Sequence, residues 1–335
     1  MNPIPTATVP AMTSIEELTP LTLQVGHVSR IARDITLFEL VSMERSTLPP
    51  FQPGDHLFVR TPNGLMRQYS LCNSPSDKNR WMIAVKRDTG GRGGSISMTD
   101  ELKPGDLVNV SAPRNAFPLI KAASRYLFIA GGIGITPIRS MILHLAEAGV
   151  SNYKLYYCTR SREDTAFADD FGAPEFQGKA VLHHDGGDPD RQLDLWPVLE
   201  NPGRTHLYCC GPGPLMRAVR DMTGHWPASS VHFEDFGSAR LKPRSDDHPF
   251  TVLLARSGRR LEVPAGESLL QALHSAGIAV ASSCESGTCG SCRVGLVSGE
   301  ADHRDFVLSE QERQSAIMPC VSRSLAPGSE LVLDL

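Results

Sequence analysis

The chain has 335 residues, 41% hydrophobic content and a formal net charge of −4 at pH 7. That length fits two or three domains with cores of their own, and the slightly acidic balance excludes a basic nucleic-acid binder. Residues 250–335 carry ten acidic residues against seven arginines and no lysine. The N-terminal MNPIPTATVPAMTS has neither a basic n-region nor an apolar h-region. The longest apolar stretch, around YLFIAGGIGI, is too short to cross a bilayer. The expectation is a cytoplasmic protein with reduced thiols and with no membrane or nucleic-acid partner.

Residues 1–20 are Pro- and Thr-rich and read as an extension. From 21 to 118 short strands alternate with turns: LTLQVGHVSRI, DITLFELVS, GDHLFVRTPNG, WMIAVKRD and GDLVNVSAP. That patterning predicts an antiparallel barrel. Within it, LMRQYSLCNSP puts Arg67 and Tyr69 on one strand face, with Gln68 between them on the other. Downstream, Arg92, Gly93, Gly94 and Ser95 precede a short helical run. Backbone N–H groups, a hydroxyl and a guanidinium there suit a single phosphate. A solvated basic hairpin fits those residues equally well.

Residues 125–236 alternate strands and helices, which predicts a parallel α/β domain. LFIAGGIGITPIRSMILHLAEAG runs from an apolar strand through glycines into an amphipathic helix, a dinucleotide-binding layout. Pro137 stands where G-x-G-x-x-G has its third glycine, so a simple tight strand–helix turn remains open. YKLYYCTRSREDTAF supplies a second strand. In its loop Glu163 and Asp164 suit a ribose 2′-hydroxyl, whereas Arg160 and Arg162 suit a 2′-phosphate. THLYCCGPGPLMRAVRDM repeats strand, Gly-Pro turn and helix. His183-His184-Asp185 reads as a surface turn, and Cys72 and Cys158 as buried small hydrophobes.

GSARLKPRSDDHP is polar, charged and Pro-containing, as linkers are. Beyond it, FTVLLARSG and RRLEVPAG predict two strands, ESLLQALHSA a helix ending at Gly277, and ELVLDL a closing strand. Cys284, Cys289, Cys292 and Cys320 read C-x4-C-x2-C-x27-C, the spacing of plant-type [2Fe–2S] centres. Three thiolates from one loop require it to curl around the cluster, which small residues such as Ser286, Gly287, Gly290 and Ser291 permit. Zinc also accepts four thiolates, but zinc ribbons usually carry two C-x2-C pairs and only one is present.

RQYSL, GRGGS, GGIGITP, CCGP and HFEDFG, in this order before the cysteine cluster, resemble the phthalate dioxygenase reductase family. The resemblance runs from residue 21 to the C-terminus. It implies three domains: an antiparallel β-barrel flavin domain (21–118), a parallel-sheet α/β nucleotide domain (119–237) and, after a linker (238–249), a β-grasp plant-type ferredoxin domain (250–335). It implies FMN, NADH and a [2Fe–2S] cluster as cofactors. Arg67 and Arg92 would neutralise the flavin phosphate, with Gly93, Gly94 and Ser95 as donors. Gln68, Tyr69 and Ser70 would contact the ring system, and Ala84, Val85 and Lys86 would line it. Gly132, Gly134, Thr136 and Pro137 would border the NADH site. Cys210, Gly211 and Pro212 would lie beside the nicotinamide, and Phe236 would shield the flavin face that it approaches. The four cysteines would hold the cluster.

Electron counting supports this order. NADH gives two electrons as a hydride and a cluster accepts one, so a flavin, which takes two and releases them singly, must stand between. The resemblance implies a monomeric reductase component whose partner is a Rieske-type oxygenase. Reductases of vanillate-type O-demethylases and of carnitine monooxygenases share the arrangement. A metal-binding protein without turnover and a self-contained flavoprotein oxygenase are the rival readings. Glu285, Arg293 and the Glu300–Asp305 segment are candidates for an acidic rim where the oxygenase docks; a solvated face fits these charges as well.

Overall fold

The computed structural model describes residues 21–44, 46–91, 93–236, 247–282, 285, 287, 288 and 290–335. The N-terminal extension, Arg92, Gly237, residues 238–246 of the expected linker, Cys284, Ser286 and Cys289 lie outside the described residues. The described chain forms two compact units, one over residues 21–236 and one over 247–335.

The first unit opens with β1 (Leu21–Ala32), β2 (Ile35–Val41), β3 (Asp55–Arg60), β4 (Met66–Ser70) and β5 (Arg80–Lys86). After α1 (Gly94–Glu101) come β6 (Leu107–Val110) and the short β7 (Arg114–Asn115). Strand order is β4-β3-β6-β1-β2-β5, antiparallel throughout, with β7 on β3. An antiparallel bridge between Leu71 and Ile83 joins the ends of the path and closes the barrel. Alternation along the strands sends Val25, Phe38, Leu57, Val59, Trp81, Ile83 and Val85 inward, where Met98 of α1 joins them.

The same unit continues with β8 (Arg125–Gly131), α2 (Ile135–Glu147), β9 (Tyr153–Thr159), α3 (Ala168–Gly172) and β10 (Ala180–His184). It ends with α4 (Trp196–Leu199), β11 (Thr205–Cys210), α5 (Gly213–Met222) and β12 (Val231–Glu234). These strands are parallel in the order β10-β9-β8-β11-β12. The chain reverses its direction of travel across the sheet between β8 and β11, and ligands of open α/β sheets bind at that switch point. Buried Ile135, Ile138, Met141, Ile142 and Leu145 recur at helical spacing on α2. They share one core with Ile35, Leu37, Cys72, Met82 and Ala84 of the barrel. The two expected domains therefore fold as one packed body, because the outward face of β5 is as apolar as its inward face.

The second unit contains β13 (Phe250–Leu254), β14 (Arg260–Val263), α6 (Leu269–Ser275), β15 (Val294–Ser298), β16 (Ala301–Asp302), β17 (Ala316–Ile317), β18 (Arg323–Ser324) and β19 (Glu330–Leu333). The order β14-β13-β19-β15-β17, with β13 and β19 parallel and a helix packed on the sheet, is a β-grasp. Ser268 and Gln271 form a capping box at the start of α6, and Gly277 (φ +77°) follows its end.

The structure alters two expectations in this unit. Asp247 and His248, assigned to the linker, are packed here: Arg304 donates to Asp247 at 2.7 Å, and Arg323 donates to the His248 carbonyl at 3.0 Å. Asp305, placed on an exposed acidic rim, is fully buried and accepts from the backbone N–H groups of Val307 (3.0 Å) and Leu308 (2.7 Å). It is a turn cap, not a docking charge. Asp302 is held by Arg304 at 2.6 Å, and only Glu300 of this segment's acids is exposed. Among the described residues no helix is long and apolar enough to cross a membrane.

Candidate functional site

The barrel contributes the β4 strand. Pairing of β4 with β3 places Arg67 opposite Val59 and Tyr69 opposite Leu57. Arg67 approaches the N-terminus of α1 so closely that a Cβ on Gly94 would stand 2.7 Å from its Nε. Gly93 precedes this helix with φ +84°, and Ser95 accepts from the Asp88 N–H at 3.0 Å. A guanidinium, a hydroxyl and the free N–H groups of a helix start thus converge, which is the chemistry that binds a phosphate. The Tyr69 hydroxyl is buried without a hydrogen-bond partner among the described residues. Burial pushes its pKa up to about 12, so it stays a neutral phenol. An orphaned phenol beside a phosphate cradle fits a bound aromatic group with polar edges, as a flavin is.

On β5 the three expected residues separate. Ala84 faces the core shared with α2, Val85 is sealed inside the barrel and Lys86 is exposed. Val85 can meet a ligand only through its backbone, because strand alternation sends its side chain to the barrel interior. Gln68 is partly buried on the face opposite Tyr69.

The nucleotide half meets this strand at the switch point. A Cβ on Gly134 would lie 2.2 Å from the Cys210 carbonyl oxygen, and one on Gly131 would lie 2.5 Å from the Pro212 ring. The ends of β8 and β11 can approach only because these positions are glycine. The starts of α2 and α5 follow directly, each with its positive dipole end. Thr136 is buried and donates to the Ile133 carbonyl at 3.0 Å, so its hydroxyl builds the turn, and the neighbouring Pro137 is buried with it. Gly132 and Gly211 are partly buried and Pro212 is exposed at the same edge. Phe236, just beyond β12, is 41% exposed.

Sequence reasoning missed Glu234. This carboxylate is buried at the end of β12, and Ser70 of β4 donates to its Oε2 at 3.4 Å. Burial holds the Cys210 thiol well above its ordinary pKa, and Glu234 adds to the shift. Ser70, Cys210 and Glu234 therefore converge from three strands. The available signal was an acid inside the apolar strand of VHFEDF, since carboxylates are rarely buried.

In the second unit Cys292 and Cys320 are both buried. Gly287 (φ +75°) leaves no room for a side chain, since a Cβ would meet Val321 Cγ2 at 2.7 Å. Its carbonyl accepts from the Phe306 N–H at 2.8 Å, on the turn capped by Asp305. A tight loop with buried thiols fits a cluster enclosed by thiolates. His183 and His184, by contrast, are absorbed structurally: their ring nitrogens bond the Arg191 carbonyl (2.7 Å) and the Thr165 hydroxyl (3.0 Å).

Comparison with known proteins agrees with this geometry. Residues 22–118 match an oxidoreductase FAD-binding domain, 128–184 an oxidoreductase NAD-binding domain and 252–324 a 2Fe-2S iron-sulfur cluster binding domain. The phthalate dioxygenase reductase of Burkholderia cepacia is 51% identical over 97% of this chain and 100% of its own length. A phthalate 4,5-dioxygenase reductase subunit of Pseudomonas putida is 51% identical over 93% of this chain and 96% of its own. A vanillate O-demethylase oxidoreductase of Pseudomonas putida is 41% identical over 91% and 96%. A solved structure of phthalate dioxygenase reductase, described as modular for electron transfer from pyridine nucleotides to [2Fe–2S], superposes with a TM-score of 0.70 over 96% of this chain and 100% of that one. A flavin strand, a dinucleotide switch point and a cluster loop, in this order and at this similarity, mark the chain as a member of the phthalate dioxygenase reductase family of flavin and [2Fe–2S] oxidoreductases.

Proposed function

We propose that this protein is the reductase of a Rieske-type dioxygenase acting on phthalate, taking electrons from NADH through FMN to the [2Fe–2S] cluster and on to the oxygenase. The observation that carries the reading is the junction of Ser70, Cys210 and Glu234, where the flavin strand meets the dinucleotide switch point. A bound flavin would supply the exchange between hydride and single-electron transfer.

The chain's own residues do the placing. Arg67, the α1 N–H groups and Ser95 anchor the flavin phosphate, with Arg92 completing the charge. Tyr69 and Ser70 orient the ring system, and Gly132 and Gly134 admit the dinucleotide phosphates at the start of α2. Cys210, Gly211 and Pro212 flank the nicotinamide, and Phe236 covers the approach face until it arrives. Cys284, Cys289, Cys292 and Cys320 ligate the cluster. NADH is favoured over NADPH: Glu163 and Asp164 suit a ribose 2′-hydroxyl, Arg160 and Arg162 of the same loop would suit a 2′-phosphate, and family membership tips the balance to NADH. The chain acts as a monomer in the cytoplasm.

The test has two arms. Mass analysis of the released flavin is expected to give FMN; release of FAD would overturn that assignment. Reconstitution with phthalate and vanillate oxygenases is expected to couple NADH consumption to phthalate oxidation. Coupling to vanillate alone would reassign the partner.

A further inference from the structure

We propose that Arg139 is a positioning residue that transmits dinucleotide binding to the flavin strand. The inference rests on the reading of this unit as an NADH–flavin site. Arg139 lies on α2 two residues beyond Pro137, and its side chain is 14% exposed. Nη1 donates to the Cys72 carbonyl at 2.6 Å. Nε and Nη2 donate to Asp170 Oδ2 at 2.8 and 2.6 Å. The guanidinium carbon also lies 4.4 Å from the centroid of the Phe167 ring.

These partners come from two places that must act together. Cys72 follows Tyr69 and Ser70 on the chain that faces the flavin. Phe167 ends the loop that leaves β9 through Glu163 and Asp164, and Asp170 lies in α3, which follows directly. Phe167 is also strained, with φ +59° in the left-handed region that bulky residues rarely occupy. The cation over its ring and the fork on Asp170 hold that conformation. One planar guanidinium can engage a carbonyl, a carboxylate and a ring at once, and an ammonium cannot. At the far end of α2, Glu147 accepts from Ser74 at 2.7 Å and Ser76 at 3.0 Å. The helix that begins at the dinucleotide site is thus pinned at two points to the segment 72–76. Ordering of the 161–170 loop by a bound nucleotide therefore has a direct route to the flavin strand, where an error of one ångström costs roughly a hundredfold in rate.

Hydrogen–deuterium exchange on the full holoprotein, with and without NAD⁺, tests this together with stopped-flow flavin reduction by NADH. In the wild type NAD⁺ is expected to slow exchange in both 161–172 and 71–76. In Arg139→Met the 71–76 response disappears and the limiting rate of flavin reduction falls about tenfold or more, with flavin content unchanged. Arg139→Lys, which keeps the charge without the fork, behaves like the Met variant. Equal protection of 71–76 in Arg139→Met and wild type, an unchanged limiting rate, or full rescue by lysine overturns the proposal. Should the Met variant not accumulate, Asp170→Leu breaks the loop side alone and is expected to abolish the same response; an intact response there overturns it too. A wild type that NADH does not reduce would instead sink the reading of the site.

Discussion

Burial raises the thiol of Cys210 well above its ordinary range, and the Glu234 carboxylate pushes in the same direction. Cys72 and Cys209 are raised by burial as well. Only a thiolate alkylates readily, so native protein treated with iodoacetamide at pH 8 is expected to leave all three unlabelled by peptide mass analysis. Labelling of Cys210 would contradict the burial of its thiol. Glu234 is the acid with the most direct reach to the flavin strand, through Ser70. Glu234→Gln is expected to slow flavin reduction by about a hundredfold, the lower end of a lost proton-transfer role, with flavin content intact; an unchanged rate removes Glu234 from the site. The cysteine spacing and the RQYSL and GGIGITP motifs made the kinds of cofactor legible in the sequence. Glu234 was not, because its role arises from contact with a strand 164 residues away. Val85, expected to line the flavin, turns its side chain into the barrel, because proximity in sequence does not tell which face of a strand a residue takes.

At the level of elements, period-two and helical patterns located the strands and α6 well, because each is amphipathic by itself. The shared core between barrel and nucleotide sheet was hidden, since β5 is apolar on both faces and periodicity is silent there. One buried and one partly buried histidine, His56 and His232, give this unit a pH signature. Burial, with Arg114 for His56 and His206 for His232, lowers both pKa values from 6.5 to about 4. A histidine depressed in the folded state contributes stability above its unfolded pKa and loses it as pH falls. The unfolding midpoint of this unit should therefore drop between pH 6.5 and 4, and His56→Gln should flatten the slope. A midpoint that rises on acidification contradicts the burial of these rings. In the second unit the Glu300–Asp305 segment looked like a solvated acidic face, and only the fold shows Asp305 turned inward. Asp305→Lys is expected to lose the cluster absorbance through misfolding. Glu300→Lys, at an exposed position, should keep the cluster; loss of the cluster in the Glu300 variant with retention in the Asp305 variant would reverse this assignment.

Across the whole molecule, the flavin and dinucleotide domains share one packed unit and the cluster domain forms the other, so electrons start in the middle domain, pass back to the first and end in the last. A flavin stores two electrons and a [2Fe–2S] cluster one, so the chain should hold three. Anaerobic titration of the holoprotein with NADH, followed by visible absorbance and electron paramagnetic resonance, tests this directly. About one and a half equivalents of NADH should bleach the flavin bands and produce the signal of a reduced [2Fe–2S] cluster in the same protein. A flavin that bleaches after one equivalent while the cluster remains oxidised at any excess of NADH would contradict the account.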